Sequence, residues 1–249
     1  MLEGLDKINW SKIHHCFGPA TNLPDLLRNL ASPDQEVVDH TIPELFHTIW
    51  HQGTVYEASA YAVPFLYELA ASSEVLDRCS VLELIGFISR GCQSLEDKNG
   101  WRDNKNFQRE MKWSKAANKA ALEGLNLALE WLKDPEFRFR IAAAYLLSTF
   151  PESRPTVQPA IEAALEREQD EMGRAALGLA LALIGSYHHE AFVTKGPNEN
   201  TVVLLNIAVM AERTAEGKRE RTMAFDTLID IGEEVFTQED FFDRFEDWD

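Results

Sequence analysis

Apolar residues recur along this chain at steps of three and four through nearly its whole length, the spacing that places side chains on one face of a helix. The clearest case runs from His51 to Ala71, HQGTVYEASAYAVPFLYELAA, where Val55, Ala58, Ala62, Phe65, Leu66 and Leu69 share a face. This pattern predicts a helix starting near Thr54, with Thr54 as its cap and Glu57 three residues on completing a capping box. Pro64 stands inside the pattern, where it removes one backbone hydrogen bond and bends the helix.

The other helical stretches fall into pairs. Trp10 to Gly18 reads as a short helix closed by Gly18-Pro19, a C-cap and a breaker. Leu23 to Leu30 is the first helix of a pair, and Ser32-Pro33-Asp34 restarts the chain into a second with Val37, Val38, Ile42, Leu45, Phe46 and Ile49 inward. The central helix pairs with Glu74 to Ser89, whose inward positions are Val75, Cys79, Leu82, Ile85 and Ile88. Gly91 to Lys112 breaks the rhythm: it is polar from Gln93 to Asn106, with Asn99-Gly100 as a turn, and reads as a long loop holding at most one short helix. A third pair is Ser114 to Lys133 with the helix opening at Asp134-Pro135, a fourth is Thr156 to Glu166 with Asp170 to Ile184, and a fifth is Asn200 to Arg213 with Arg219 to Ile231. GRAALGLALALIG, in the fourth pair, is apolar nearly all round and predicts burial between neighbours. No segment reads as a strand.

The pairs repeat. About 40 residues separate Pro24 from Pro64 and about 95 separate Pro64 from Pro159, close to one and two periods of the roughly 40–47 residues typical of HEAT and armadillo units. The second helices share a sense of arginine followed by small residues at Arg140 to Ala143 and Arg174 to Ala176. Small residues let helices approach closely, and the arginine stem covers the packed turn. The expected fold class is therefore all-α: one domain over residues 1–249, a HEAT/armadillo-like α–α superhelix of about five helix pairs with a loop over 91–112. Its C-terminal end, 237–249, has a capping box at Thr237 to Asp240 and apolar Phe241, Phe245 and Trp248 at helical spacing, with eight acids from Glu233 to Asp249 against Arg244 alone. That composition suits a capping helix with its acidic side in water, as terminal repeats require, or else an acidic aromatic arm that engages a partner.

Composition narrows what such an array can bind. A hydrophobic content of 45% across 249 residues is ample for a core. The net charge of −17 argues against nucleic acid, because phosphate binding needs clustered Lys and Arg to replace counterions. It suits solubility alone, the ordinary reason for an acidic surface, and would also favour a basic protein partner. Three cysteines, Cys16, Cys79 and Cys92, form an odd set without a CxxC pair and fit free thiols in a reducing compartment. The opening MLEGLDKINW lacks the apolar core of a signal peptide, and the longest apolar run, Ala175 to Gly185, is about half a membrane span. A cytoplasmic chain with no membrane partner is expected.

Candidate chemistry is sparse. His47 and His51, four apart, have the spacing of two metal ligands on one helix, and His14-His15 and His188-His189 add pairs, but there is neither an HExxH nor a third ligand at fixed spacing. No metal and no cofactor are expected. There is no GxSxG, no P-loop and no GxGxxG, and Cys16 beside His15 is no dyad because neighbours on a helix point apart. No catalytic residue is assigned. Binding candidates come from two places. His51-Gln52-Gly53 reads as a tight turn between helices with Gly53 at positive φ, and Trp50, His51, Gln52 and Tyr56 around it are aromatic and adaptable polar groups suited to anchoring a partner. Arg90 to Lys119 is the one locally basic stretch, with eight bases against four acids; Trp101 and Arg102, with Phe107 and Trp113 nearby, place aromatic and cationic groups where phosphate or an acidic partner can be met, although aromatics that merely anchor a solvated loop would look the same.

The same residues carry a resemblance. HQGTVYEASAYAVPFLYELA, with the upstream Trp10, His14-His15-Cys16-Phe17-Gly18-Pro19-Ala20 and Leu23-Pro24, resembles a family of bacterial HEAT-repeat (armadillo-like) proteins of unassigned activity, over the first ninety residues or so. The resemblance implies an α-solenoid that works by binding a protein or peptide on its concave face; some HEAT-like proteins serve as immunity partners of secreted toxins. HEAT-like folds also include alkylpurine DNA glycosylases and phycobilin lyases, which keeps an enzyme or ligand carrier as the alternative.

Overall fold

A computed structural model of the protein describes residues 1–91, 105–169 and 171–184. The expected fifth pair, 200–213 with 219–231, and the acidic helix 237–249 lie outside these residues, as do Trp101 and Arg102. The chain forms two compact units, Met1–Asn126 and Leu127–Asp249. The described residues are mostly helical, with nine α-helices and four two-residue strands.

The first unit opens on two 3-10 turns, Leu5–Lys7 and Trp10–Lys12. The Trp10 indole donates from Nε1 to the Leu5 carbonyl at 2.8 Å, which ties the two turns together while the ring is buried. The predicted helix over Trp10–Gly18 does not form. In its place β1 (His14–His15) and β2 (Gly18–Pro19) pair antiparallel across a two-residue loop, Cys16-Phe17. Gly18 takes φ +125°, a backbone that a residue with a Cβ rarely adopts, so the glycine that looked like a helix stop closes a hairpin.

Next come α1 (Leu23–Asn29) and α2 (Gln35–Ile49), the latter capped by Asp34, whose carboxylate accepts from the Glu36 N–H at 3.0 Å. Of the six inward positions expected on α2 five are buried and Val37 is half-buried. The next segment is again a hairpin: β3 (Trp50–His51) pairs with β4 (Thr54–Val55) across Gln52-Gly53. Gln52 at φ +49° and Gly53 at φ +73° are both left-handed, the combination a two-residue primed turn needs to match strand twist. Gly53 thus behaves as expected, and Gln52 shares its conformation.

This hairpin moves the start of the central helix. Thr54 is spent on the strand, and α3 (Glu57–Ala70) begins three residues later. The capping role passes to Ser59, whose hydroxyl accepts from the Tyr56 N–H at 2.8 Å and donates to the Ile49 carbonyl, joining the end of α2 to the beginning of α3. The apolar face holds: Val55, Ala58, Ala62, Phe65, Leu66 and Leu69 are all buried, each large aliphatic contributing about 1.5–3 kcal/mol by leaving water. Pro64 lies inside α3 on its exposed side.

Two further helices complete the unit. α4 (Arg78–Arg90) is capped by Asp77, which accepts from the Ser80 N–H and hydroxyl. α5 (Lys105–Glu123) begins inside the stretch expected to be a loop. Consecutive helices α1–α2 and α3–α4 pack as pairs, and alternate helices also touch: α1 on α3, α3 on α5, α2 on α4.

The expected helix Ser114 to Lys133 is broken at Gly124, which separates α5 from α6 (Leu125–Trp131). The second unit continues with α7 (Phe137–Ser148), α8 (Arg154–Arg167) and α9 (Glu171–Leu183). α9 packs on both α7 and α8. All eight residues from Ile141 to Ser148 are buried, so α7 as well as α9 lies among neighbours.

Arginines near the starts of three helices bind carbonyls of the chain just before them. Arg78 donates from Nε to the Ala70 carbonyl at 2.9 Å, Arg140 from Nη1 to Asp134 and Pro135 at 2.9 and 3.0 Å, and Arg174 from Nη1 to Leu165 and Glu168 at 3.0 and 3.3 Å. Carbonyls at helix ends have no partner within the helix, and a guanidinium both satisfies them and suits the negative end of the helix dipole.

Candidate functional site

The two hairpins of the first unit come together with the end of α2. The Cys16 N–H donates to the Thr48 carbonyl at 3.0 Å, which sets the Cys16-Phe17 loop against the last turn of α2. Phe17 is 60% exposed and yet held in place by rings: His47 at 4.9 Å between centroids, His51 at 5.8 Å and His15 at 6.1 Å. The His47 and His51 rings meet edge to face at 4.5 Å. The spacing of four that suggested two metal ligands therefore serves a ring stack. Among the described residues there is no group of three or more His, Cys, Asp or Glu placed to hold a metal ion.

His15 is the buried base of this patch, and its hydrogen bonds fix its tautomer. Its Nδ1 accepts from the Phe17 N–H at 3.0 Å, so Nδ1 carries no proton, and Nε2 donates to Oδ1 of Asn22 at 2.9 Å. The ring is a strut under the loop. His14, on the other face of β1, lies with Nδ1 3.9 Å from the Glu57 carboxylate at the start of α3.

The hairpin β3–β4 divides the residues that the sequence placed on one rim. Neighbouring strand residues face opposite ways. His51 joins Phe17 and His47, whereas Trp50 packs on Phe87 at 4.7 Å and Phe46 at 6.1 Å. Trp50 is thus a core-facing residue, and its indole Nε1 is buried without an acceptor among the described residues. Gln52 is exposed at the turn. Tyr56 lies 5.9 Å from the Trp113 ring on α5, and the Arg109 guanidinium stands 5.0 Å over that ring. Phe17 is the residue that the sequence reading passed over. Its signal was a large apolar side chain at a two-residue loop tip, visible only once the hairpin is recognised.

Burial lowers the pKa of His51 below its ordinary value of 6.5; a positive charge on His47 acts in the same direction, and a hydrogen bond with the His47 backbone opposes both. The folded chain therefore binds fewer protons at this site than the unfolded one, and His51 favours folding less as the pH drops below about 6.5. The difference in denaturation midpoint between the wild type and His51→Gln should accordingly shift against the wild type between about pH 7.5 and 5.5. A difference that stays constant with pH would show that His51 titrates alike in both states.

Comparison of the chain with protein-family models, with curated proteins and with solved structures finds no match. Among the described residues no helix is long and apolar enough to cross a membrane.

Proposed function

We propose that the chain is a HEAT-type α-solenoid that works by binding a protein or peptide, and that the Phe17 patch of the first unit is a contact point for it. The observation that carries this reading is the exposure of Phe17 on a loop tied down by hydrogen bonds and ring contacts. A phenylalanine 60% in water loses hydrophobic stabilisation, yet three imidazole rings and two backbone hydrogen bonds hold its loop in one place. Aromatics presented in this way are typical anchors at protein interfaces. Supporting the solenoid are contacts between alternate as well as consecutive helices and the recurring arginine at the start of second helices. With a net charge of −17, most of the surface favours a basic partner, as an inhibitor or immunity protein would need.

The test is site-specific photo-crosslinking in the cells that make the protein. A photoreactive phenylalanine at position 17 should give a discrete adduct that excess unlabelled protein competes away and excess Phe17→Ser protein does not. The same probe at exposed Glu152 serves as the control. Equal labelling at positions 17 and 152, or competition by the Phe17→Ser protein, would refute the patch as an anchor.

A further inference from the structure

Helix α5 carries the opposite charge to the rest of the molecule. From Met111 to Leu122 there is no Asp or Glu, in a chain with 41 acids among 249 residues. Arg109, Lys112, Lys115 and Lys119 are all exposed. At 100° per residue they fall within about a third of the helix circumference, opposite the side on which Ala117 and Ala121 are buried. Among the described residues none of the four is in an ion pair.

This stripe opposes its own helix. Like charges at i,i+3 and i,i+4 repel, by a few tenths of a kcal/mol per pair, and Arg109–Lys112, Lys112–Lys115 and Lys115–Lys119 are three such pairs. The helix dipole rewards a cation only in the last turn, where α5 has none; Lys119 stands one turn before exposed Glu123, which ends the run of cations. A solvated face would gain by mixing signs. At one edge of the stripe Trp113 stands half-buried, with Arg109 above it and Tyr56 beside it, so a flat aromatic surface borders the cations.

We infer that the exposed face of α5 is a docking surface for a short acidic protein segment. This deepens the reading above, since it names the chemistry of one part of a protein partner. Arg109 to Lys119 spans about 15 Å at 1.5 Å per residue, and an extended peptide covers that length in about five residues. Four cations therefore match three or four carboxylates on a five- or six-residue segment. Charge complementarity also selects peptide over nucleic acid. A polynucleotide continues its charge beyond the stripe and would meet a surface whose net balance is −17, whereas a short acidic segment ends where the lysines end.

The probe is a fluorescein-labelled octapeptide of alternating Asp and Glu, titrated with the full chain at about 20 mM salt and followed by fluorescence anisotropy. Saturable binding is expected, weakened about tenfold or more by about 200 mM salt and by the triple variant Lys112→Glu, Lys115→Glu, Lys119→Glu. The neutral triple variant with Gln at the same positions should lie between the two, and melting temperatures within a few degrees of the wild type would show that all three proteins are folded. No saturable binding, binding indifferent to the triple reversal, or tighter binding of an eight-nucleotide single strand than of the octapeptide would each overturn the inference. Phe17→Ser lies off the stripe and should leave octapeptide binding unchanged, so loss of the position-17 adduct with retained octapeptide binding counts against the patch alone. The reverse result counts against the stripe alone.

Discussion

Gly124→Ala should destabilise the protein by about 2–3 kcal/mol, lowering the melting temperature by several degrees, although the change adds a single methyl group. Gly124 sits at the break between α5 and α6, and a Cβ there would overlap Cζ and both Cε atoms of the Tyr67 ring. That ring is not free to withdraw. Its hydroxyl donates to the Ala121 carbonyl at 2.6 Å in a buried site, and its residue is 6% exposed. Burial holds the desolvated phenol well above its ordinary pKa, which keeps its proton on the oxygen as the donor of this bond. The Ala121 carbonyl also receives the Gly124 N–H at 3.1 Å, so ring, carbonyl and glycine form one packed knot. Tyr67→Phe tests the hydroxyl by itself and should cost about 1–2 kcal/mol. Tyr67→Ala should cost more, but it leaves room for the extra methyl, so Gly124→Ala made in that background should be nearly neutral or stabilising. Such a cycle measures the coupling directly: equal effects of Gly124→Ala with and without the ring would show that the glycine is needed for some reason other than Tyr67.

The same glycine shows where sequence reasoning ran out. Periodicity made Ser114 to Lys133 look like one helix, because apolar spacing continues past Gly124 and the reason for the break lies in a residue more than fifty positions away. A long-range steric demand leaves only a lone glycine as its trace. The two hairpins were missed for a different reason. Strands of two residues are too short to show alternation, and Gly18-Pro19 and Gly53 signal helix ends and hairpin turns equally well. What was legible was the inner face of α3: the five expected positions within the helix are buried, and the sixth, Val55, is buried on β4 instead, since burying a helix stripe needs nothing beyond its spacing. The candidate site was legible in part. His51 stands beside exposed Phe17 and Tyr56 beside half-buried Trp113, while Trp50 turned inward because a strand alternates faces where a helix would not.

Glu168→Ala should cost about 3–5 kcal/mol in the second unit, the largest effect expected of any single side chain here. The Glu168 carboxylate is 4% exposed and takes a forked pair of bonds from Arg140, Nε to Oε2 at 2.8 Å and Nη2 to Oε1 at 3.0 Å, while Oε1 also accepts from the Gln169 N–H at 3.0 Å. Arg140 is the centre of the arrangement. Its remaining nitrogen holds the carbonyls of Asp134 and Pro135 ahead of α7, so one guanidinium links that loop to the loop after α8. Arg174 then bonds the backbone carbonyl of Glu168 from α9. Removing the carboxylate leaves a guanidinium that is only 21% exposed without its counter-charge, and that uncompensated charge accounts for most of the cost. Glu168→Gln keeps the shape and part of the hydrogen bonding, so it should cost less than alanine but still more than 1 kcal/mol. Arg140→Met removes the other half of the pair and strands the carboxylate instead; the double variant Arg140→Met, Glu168→Leu should recover much of what either single change loses, because no buried charge is then left alone. Chemical denaturation of the wild type, Arg140→Met, Glu168→Leu and their double variant, with the Ala and Gln variants beside them, decides the matter. Single changes whose costs simply add in the double variant would mean that the fork contributes nothing as a pair, and that Arg140 holds its loop by backbone contacts alone.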